Sequence, residues 1–319
     1  MMSLKVVKVL TLSALGILFF YGTIISVCDY LAEVEMFRAY ELLNAPSFPE
    51  AEWPTRQAVQ HNPQNGYTHY YRAAFLKRAG RMEEARKELM QALRTTAHPS
   101  SAYRLLAELE LDEKRYGTAF DDYRRALLYD PVPHLAPALV WFDFGRAARS
   151  AGFAGEALRA FRMSQRLPDP LPTSGPAIGF LLGWLGAADA GVQEYVLALW
   201  KYPELKEHLP TWAYNLATAG MNDFGVRLFS RFDALGWLDA RGLCLLSSFY
   251  IYRREFSDAW DVLERAEKVN AQEPNVYLLM GEIHFQKGEK ESMRRMYERF
   301  LRMMPDAPQR KSLEKRMRE

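Results

Sequence analysis

The chain has 319 residues, of which 49% are hydrophobic and 25% charged, and these proportions exclude a globally disordered protein. Its 41 basic and 39 acidic residues leave a formal net charge of +2, so the composition gives no general attraction to nucleic acid. The two cysteines, Cys28 and Cys244, lie far apart, which argues against a disulfide framework.

The N-terminal residues 1–29 predict a membrane anchor. Residues 9–28 carry no charge, and twenty helical residues span about 30 Å, the thickness of a bilayer's hydrocarbon core. Lys5 and Lys8 precede this run, and acidic residues beginning with Asp29 follow it. The asymmetry predicts a single-pass protein of the inner (cytoplasmic) membrane, with the N-terminus in the cytoplasm and the rest of the chain in the periplasm or another extracytoplasmic space.

Two alternatives to a retained anchor stay open. A cleaved signal peptide usually has an apolar run of about 7–15 residues that ends in small residues at the cleavage site. The run in this chain is longer, and it ends in Ile25-Ser26-Val27-Cys28. Acylation of Cys28 would instead make a lipoprotein, but the bulky Val27 directly precedes that cysteine. Retention of the anchor is therefore the preferred interpretation.

The segment Arg81–Pro131 shows how the rest of the chain is built. Ala85 and Leu89 return as Ala119 and Tyr123, 34 residues later in each case. A fixed period in this range is typical of proteins made of stacked helix pairs, because two short helices cannot bury their apolar face without a neighbour. The sequence therefore predicts an all-α fold.

The 34-residue period, followed in both directions, predicts a series of antiparallel helix pairs. Residues 30–45 read as a helix that could continue the anchor, and a degenerate first pair is expected at 32–62. The clearest pairs are expected at residues 67–97, 101–131, 138–168, 240–271 and 274–305. Residues 177–236 look least regular. Their apolar stretch predicts a buried helix pair rather than a second membrane span, because Asp189 and Glu194 interrupt it.

These expectations divide the chain into five parts, with the proline-rich segment 167–176 as a candidate bend. The parts are the anchor at residues 1–29, an N-terminal repeat block at 30–168, an irregular apolar helical middle at 169–237, a C-terminal repeat block at 238–305 and a charged capping helix at 306–319.

The residue types within each pair resemble the tetratricopeptide-repeat family. Small residues stand where two helices must cross closely, and large residues stand beside them. In the pair at 138–168, Trp141 and Phe144-Gly145 lie in the first helix, with Ala157 and Phe161 in the second. The match is weak at 32–63 and 177–236. With the anchor, the chain resembles bacterial single-span membrane proteins that carry such repeats. The resemblance implies an α-solenoid of antiparallel helix pairs.

The resemblance also implies that protein partners bind a concave face formed by the first helix of each pair. Carried over position by position, the candidate partner-binding residues are Tyr67, Tyr70, Lys77, Arg78, Arg104, Glu108, Phe142, Arg146, Arg149, Tyr252 and Phe285, together with Arg241, Ile251, Leu278 and Glu282. Arg104, Arg146 and Arg149 could pair with a carboxylate of the partner. Alternatively, these arginines form ion pairs within the chain on a solvated face.

No motif in the sequence predicts catalysis, a metal site or a cofactor. The six histidines lack metal-ligand spacing, and neither a phosphate-binding glycine loop nor a nucleophile elbow is present. The predicted function is therefore that of a membrane-anchored scaffold or assembly factor for an envelope complex, with membrane or envelope proteins as partners. A permanent structural subunit of a large membrane complex is the alternative, and an enzyme or cofactor carrier is the least favoured.

Overall fold

The computed structural model describes the backbone of residues 4–96, 99–130 and 136–318, with side chains from residue 21 onward. Within these ranges the chain forms seventeen α-helices and no strand. They are α1 (Leu4–Leu43), α2 (Glu52–His61), α3 (Gly66–Arg78), α4 (Met82–Thr95), α5 (Ser100–Asp112), α6 (Tyr116–Tyr129), α7 (Ala138–Ser150), α8 (Ala154–Arg166), α9 (Ser174–Trp184), α10 (Ala188–Lys201), α11 (Leu209–Thr218), α12 (Asn222–Ala234), α13 (Ala240–Tyr252), α14 (Phe256–Val269), α15 (Pro274–Lys287), α16 (Lys290–Met303) and α17 (Arg310–Arg318).

Successive helices pack as pairs, which confirms the predicted all-α helical-repeat architecture. The helix predicted over Met82–Thr95 is α4, with the same bounds. The pairs fall into two compact units, unit 1 at Met1–Asp169 and unit 2 at Pro170–Glu319. Unit 1 contains α1 to α8, and unit 2 contains α9 to α17.

The turn inside a pair reverses the chain through one residue with positive φ. Gly80 and Gly220 adopt φ values of 77° and 71° at such turns. This conformation costs glycine little, because no Cβ meets the following carbonyl oxygen. Lys114 and Arg254 hold the corresponding places in two other pairs, with φ values of 60° and 63°. These two turns are therefore strained relative to the glycine turns.

A small residue on the first helix of a pair lies against an aromatic ring from the second helix. A Cβ built on Gly145 would lie 2.6 Å from the Phe161 ring, and a Cβ on Gly281 would lie 2.4 Å from the Tyr297 ring. Both distances are too short for any larger side chain without displacement of the ring. The structure thus confirms that small residues mark the helix crossings, as the sequence pattern predicted.

Residues 177–236, expected to be the least regular part, follow the same period. Gly191 lies 34 residues after Ala157, and Gly225 lies 34 residues before Ala259. Glycine therefore takes the place of alanine in two successive pairs, and this substitution concealed the repeat from sequence analysis. A Cβ on Gly179 would lie 2.6 Å from the Tyr195 ring, the same crossing contact as in the other pairs.

The first helix, α1, runs without a break for 40 residues from Leu4 to Leu43. The expected continuity between the anchor segment and the following helix is thus confirmed. Side chains before residue 21 lie outside the described set, and this includes most of the predicted anchor at 9–28. Among the residues that were described and searched, no helix combines the length and the apolar character that a membrane crossing requires.

A candidate partner-binding face on unit 1

Five of the charged side chains on the first helices of the pairs in unit 1 form a continuous group. Its members, called the charged row below, are Lys77 of α3, Arg104 and Glu108 of α5, and Asp143 and Arg146 of α7. Arg104 and Glu108 are four residues apart, so they lie on one face of α5. The Lys77 Nζ donates a hydrogen bond to the Glu108 Oε2 at 2.8 Å, which joins α3 to α5. The charged row contains four of the predicted partner-binding residues.

Two of those four candidates are already engaged within the chain. Besides its bond to Glu108, Lys77 lies 3.7 Å from an Asp112 carboxylate oxygen. The Arg146 Nη1 donates to the Asp143 Oδ1 at 2.9 Å, one helical turn away. For these two residues the structure bears out the alternative that the sequence left open, namely ion pairing within the chain. Such exposed pairs are worth little, so a partner could replace them at small cost.

Arg104 differs from the other cations of the charged row. Its side chain is half-buried, and among the described residues its guanidinium makes no hydrogen bond and no ion pair. An arginine presents five donors in a planar fork that matches a carboxylate. A half-buried guanidinium without a protein acceptor therefore offers the strongest unused donor set of the charged row.

Tyr123 adds a second unused polar group to the same place. It belongs to α6, and only 1% of its surface is exposed. Its hydroxyl has no hydrogen-bond partner among the described residues. Burial raises the pKa of Tyr123 well above its usual range, and the Asp143 and Glu108 carboxylates raise it further. The hydroxyl therefore stays protonated and faces the charged row from beneath.

The carboxylates around Tyr123 respond to the same burial. The pKa of Asp143 is raised chiefly by burial, and the Arg146 guanidinium opposes this change. Glu108 also raises the pKa of Asp143, whereas Lys77 lowers it. The charged row is thus a cluster in which each group feels its neighbours. Sequence analysis placed Tyr123 at a helix crossing and missed its hydroxyl, because the pattern of residue types does not show where a side chain ends.

Tyr67 and Tyr70 lie in an aromatic group at the start of α3. The Tyr70 and Tyr71 ring centres are 5.4 Å apart, and Tyr40 of α1 packs edge-to-face on Tyr71 at 6.4 Å. Burial raises the pKa of Tyr71, and the neighbouring phenols add to this effect. Tyr67 remains 44% exposed. This group is a second part of the predicted face that is open to a partner.

Other predicted residues of unit 1 serve packing instead. The Arg78 guanidinium lies 4.4 Å from the centre of the Phe48 ring and donates to the Leu43 carbonyl oxygen. It thus ties α3 to the connection between α1 and α2. Phe142 packs on Phe161 with ring centres 5.3 Å apart. Arg149 is exposed at the end of α7 and has an interaction within the chain.

Unit 2 presents a different set of side chains. Tyr252 is exposed as predicted, and Tyr214 of α11, which sequence analysis missed, is 69% exposed. Phe285 and Glu282 are covered by the C-terminal helix α17. Its Arg316 guanidinium lies 4.5 Å from the Phe285 ring centre and donates to the Glu282 Oε2 at 2.6 Å.

Arg241, Ile251 and Leu278 of unit 2 are brought into no shared polar cluster by the described contacts. Arg241 is exposed near the start of α13, whereas Ile251 and Leu278 are half-buried and pack on the core of unit 2. The structure therefore gathers the predicted charged residues of unit 1 into one row, but leaves those of unit 2 dispersed or covered.

Groups able to carry chemistry are sparse in the described part of the chain. There, no set of three or more His, Cys, Asp or Glu side chains is placed to hold a metal ion. Cys244 is buried between leucines on α13, and burial raises the pKa of its thiol to about 12. A thiol held in that state is a poor nucleophile at neutral pH.

Comparison with known proteins finds likeness at the level of fold. No family model matches the sequence, and no curated protein matches it. A tetratricopeptide repeat protein from Parabacteroides merdae is similar, with 14% identity and a TM-score of 0.48, covering 91% of this chain and 98% of that one. PilF of Pseudomonas aeruginosa has 15% identity and a TM-score of 0.48, covering 80% of this chain and 99% of its own. YrrB, described as a repeat protein of the same type with an unusual peptide-binding site, has 14% identity and a TM-score of 0.46, covering 70% of this chain and 95% of its own.

Proposed function

We propose that this chain, which has the fold of the tetratricopeptide-repeat proteins, is a membrane-anchored scaffold or assembly factor that binds protein segments on the charged row of unit 1. The observation that carries the proposal is the meeting of two unused donors, the Arg104 guanidinium and the Tyr123 hydroxyl. A buried polar group without a partner costs free energy, which a bound ligand recovers.

A carboxylate is the ligand group that best fits these two donors. The guanidinium of Arg104 can donate two parallel hydrogen bonds, and the Tyr123 hydroxyl can donate one more. Glu108 and Asp143 lie beside the site, but each is already bonded to a cation of the charged row. An acidic side chain or a chain terminus of the partner would therefore be held between Arg104 and Tyr123. The exposed Tyr67 ring offers apolar contact to the same partner.

The anchor gives this binding face its place in the cell. Residues 9–28 are retained in the inner membrane under this proposal, with the repeat domain in the periplasm or another extracytoplasmic space. Confinement to one membrane raises the effective concentration of membrane-bound partners. A reporter fused after Glu319 tests the orientation: activity of a reporter that works only outside the cytoplasm is expected, and activity of one that works only in the cytoplasm contradicts it.

Photo-crosslinking from the charged row tests the binding proposal. A crosslinking amino acid replaces Arg104 in the cell, and captured proteins are identified by mass spectrometry. The matched control replaces Arg124, an exposed arginine on α6. The proposal expects defined partners from position 104 and none of them from position 124. Equal capture from both positions would contradict it.

A permanent structural role in a membrane complex is the second candidate. It is favoured by the apolar side chains that α10 leaves in solvent, where Trp200 is 77% and Leu197 50% exposed. The two residues are three apart on one helical face, as in a surface that a partner covers. Recovery of the chain from detergent extracts at fixed stoichiometry with one set of proteins would favour this role. Recovery of the chain alone would favour transient binding.

A further inference from the structure

Helix α1 is apolar on two opposite faces, and only one of them is covered. Ala32 and Ala39 are fully buried where α1 packs on the other helices of unit 1. The uncovered face carries five side chains that are 39% to 66% exposed, and it is called the outer stripe below. Its members are Val27, Tyr30, Leu31, Val34 and Phe37. A surface helix normally shows polar residues on that side, so the outer stripe calls for a partner.

The spacing of the exposed aliphatic residues selects another helix as that partner. Ile24, Val27, Leu31 and Val34 follow one another at intervals of three, four and three residues. This is the 3.5-residue repeat of a left-handed coiled coil, in which each side chain fits between those of a helix with the same repeat. A flat lipid surface or an extended peptide imposes no such spacing.

Two charged residues continue the spacing and make the stripe complementary to itself. Arg38 follows Val34 by four residues, and Glu41 follows Arg38 by three. Neither side chain forms an ion pair among the described residues, although the Arg38 guanidinium lies 5.9 Å from the centre of the Trp53 ring. When two copies of α1 run parallel and in register, Arg38 of each copy lies beside Glu41 of the other.

The exposed area is sufficient for a specific pair. Side chains of this size, about half exposed, leave on the order of 700 Å² per copy along the outer stripe and its charged end. Two copies would then bury an area close to the lower limit of stable specific interfaces, about 1,200–2,000 Å². An isologous contact of this kind closes as a dimer and leaves no unsatisfied copy of the surface.

We propose that α1 pairs in parallel and in register with the α1 of a second copy of this chain, through the outer stripe and the reciprocal pairing of Arg38 with Glu41. This pairing is independent of the charged row and goes beyond the binding function proposed for it. Copies anchored in one membrane would already share the direction that the pairing requires.

Disulfide crosslinking of the full chain in detergent tests the register. Cys28→Ser and Cys244→Ala first remove the native thiols. Val34→Cys then places a thiol in the seam, and Glu33→Cys places one on the neighbouring flank about 100° around the helix. The proposal expects a covalent dimer from Val34→Cys and little from Glu33→Cys. Equal crosslinking from the two positions would overturn it.

Exchange of the two charges tests the contact itself. Arg38→Glu sets like charges against each other and is expected to weaken the dimer at least about tenfold in sedimentation analysis. The double variant Arg38→Glu/Glu41→Arg restores the opposite charges and is expected to regain dimerisation. A dimer unaffected by Arg38→Glu would overturn the proposal. So would a monomer in lipid nanodiscs whose residue 37, carrying a fluorophore, is quenched by brominated lipid, because the stripe would then face the bilayer.

Discussion

On the first helices of the pairs in unit 1, Glu108 and Arg146 stand at corresponding positions of the repeat. The next two corresponding positions, in unit 2, are held by Phe180 and Tyr214, which lie 34 and 68 residues after Arg146. The helix crossings are the same in both units, since Gly145 meets Phe161 as Gly281 meets Tyr297. Positions that fix the packing are therefore repeated, whereas positions that face outward are free to differ. Function is more readily found at the latter.

The largest difference between the units is expected from Glu110, which is 4% exposed on α5. It accepts hydrogen bonds from Arg86 and Arg115, and from the Thr118 hydroxyl at 3.1 Å. Glu110→Ala leaves this buried cluster without its acceptor and should lower the free energy of unfolding by about 3–5 kcal/mol in urea titrations.

The control for Glu110 is Glu83→Ala, since Glu83 is exposed and 3.9 Å from Arg86. This change should cost less than about 0.5 kcal/mol. Leu216 holds the corresponding place in unit 2 and is fully buried among apolar side chains. Equal effects of Glu110→Ala and Glu83→Ala would show that the buried ion cluster does not stabilise unit 1.

The shared crossings should be equally sensitive in both units. Gly145→Ala and Gly281→Ala each force a Cβ against an aromatic ring, at 2.6 Å and 2.4 Å. Each should destabilise its unit by roughly 1–3 kcal/mol in differential scanning calorimetry. Gly155→Ala is the control, because its Cβ meets nothing within 4 Å in α8. It should raise stability by about 0.5–1 kcal/mol, and a loss of stability there would contradict this account of the glycines.

His69 should give unit 1 a dependence on pH. It is buried, with its Nδ1 2.6 Å from a Glu88 carboxylate oxygen and its Nε2 3.0 Å from the Pro63 carbonyl oxygen. The Glu88 hydrogen bond raises the pKa of His69, against the effect of burial. Because the folded pKa is raised, the stabilisation is complete below the unfolded pKa of about 6.5 and is lost as the pH rises through the folded value.

Unfolding measured from about pH 6 upward tests this dependence. The free energy of unfolding should fall with rising pH in the native chain, and His69→Gln should flatten that part of the profile. His208→Gln, at an exposed position of unit 2, is the control. Parallel profiles for the native chain and His69→Gln would rule out His69 as the titrating group.

The smallest effect is expected at the two strained turns, one in each unit. Lys114→Gly and Arg254→Gly relieve a positive φ, of 60° and 63° respectively. Each should raise the free energy of unfolding by about 0.5–1 kcal/mol, because a side chain in this conformation meets its own carbonyl. A decrease in stability would mean that these side chains contribute contacts outweighing the strain.

The sequence was informative wherever one residue type has one role in packing. The 34-residue spacing of Ala85 and Ala119 predicted the helix pairs, and the bounds of α4 followed from it. It was less informative where glycine replaced alanine, at Gly191 and Gly225, because the spacing was read from alanine alone. The physical requirement at that place is a small side chain rather than a particular one.

The candidate site was predicted only in part, because it depends on where side chains end. The repeat pattern found Arg104 and Glu108, but it could not show that the Tyr123 hydroxyl reaches them from another helix. Nor could it show that Arg316 covers Phe285, since α17 lies outside the repeat. Such contacts depend on the packing between helices, which residue spacing does not encode.

The central claim is that the Tyr123 hydroxyl is kept without a protein partner in order to bind a ligand. Tyr123→Phe removes that hydroxyl alone, and Arg104 stays in place. The partner segment captured by crosslinking would be titrated calorimetrically against the native chain and this variant. We predict that the variant is at least as stable as the native chain and binds the segment roughly tenfold more weakly, the loss of one hydrogen bond to a carboxylate. Unchanged affinity of Tyr123→Phe for the segment would contradict the claim.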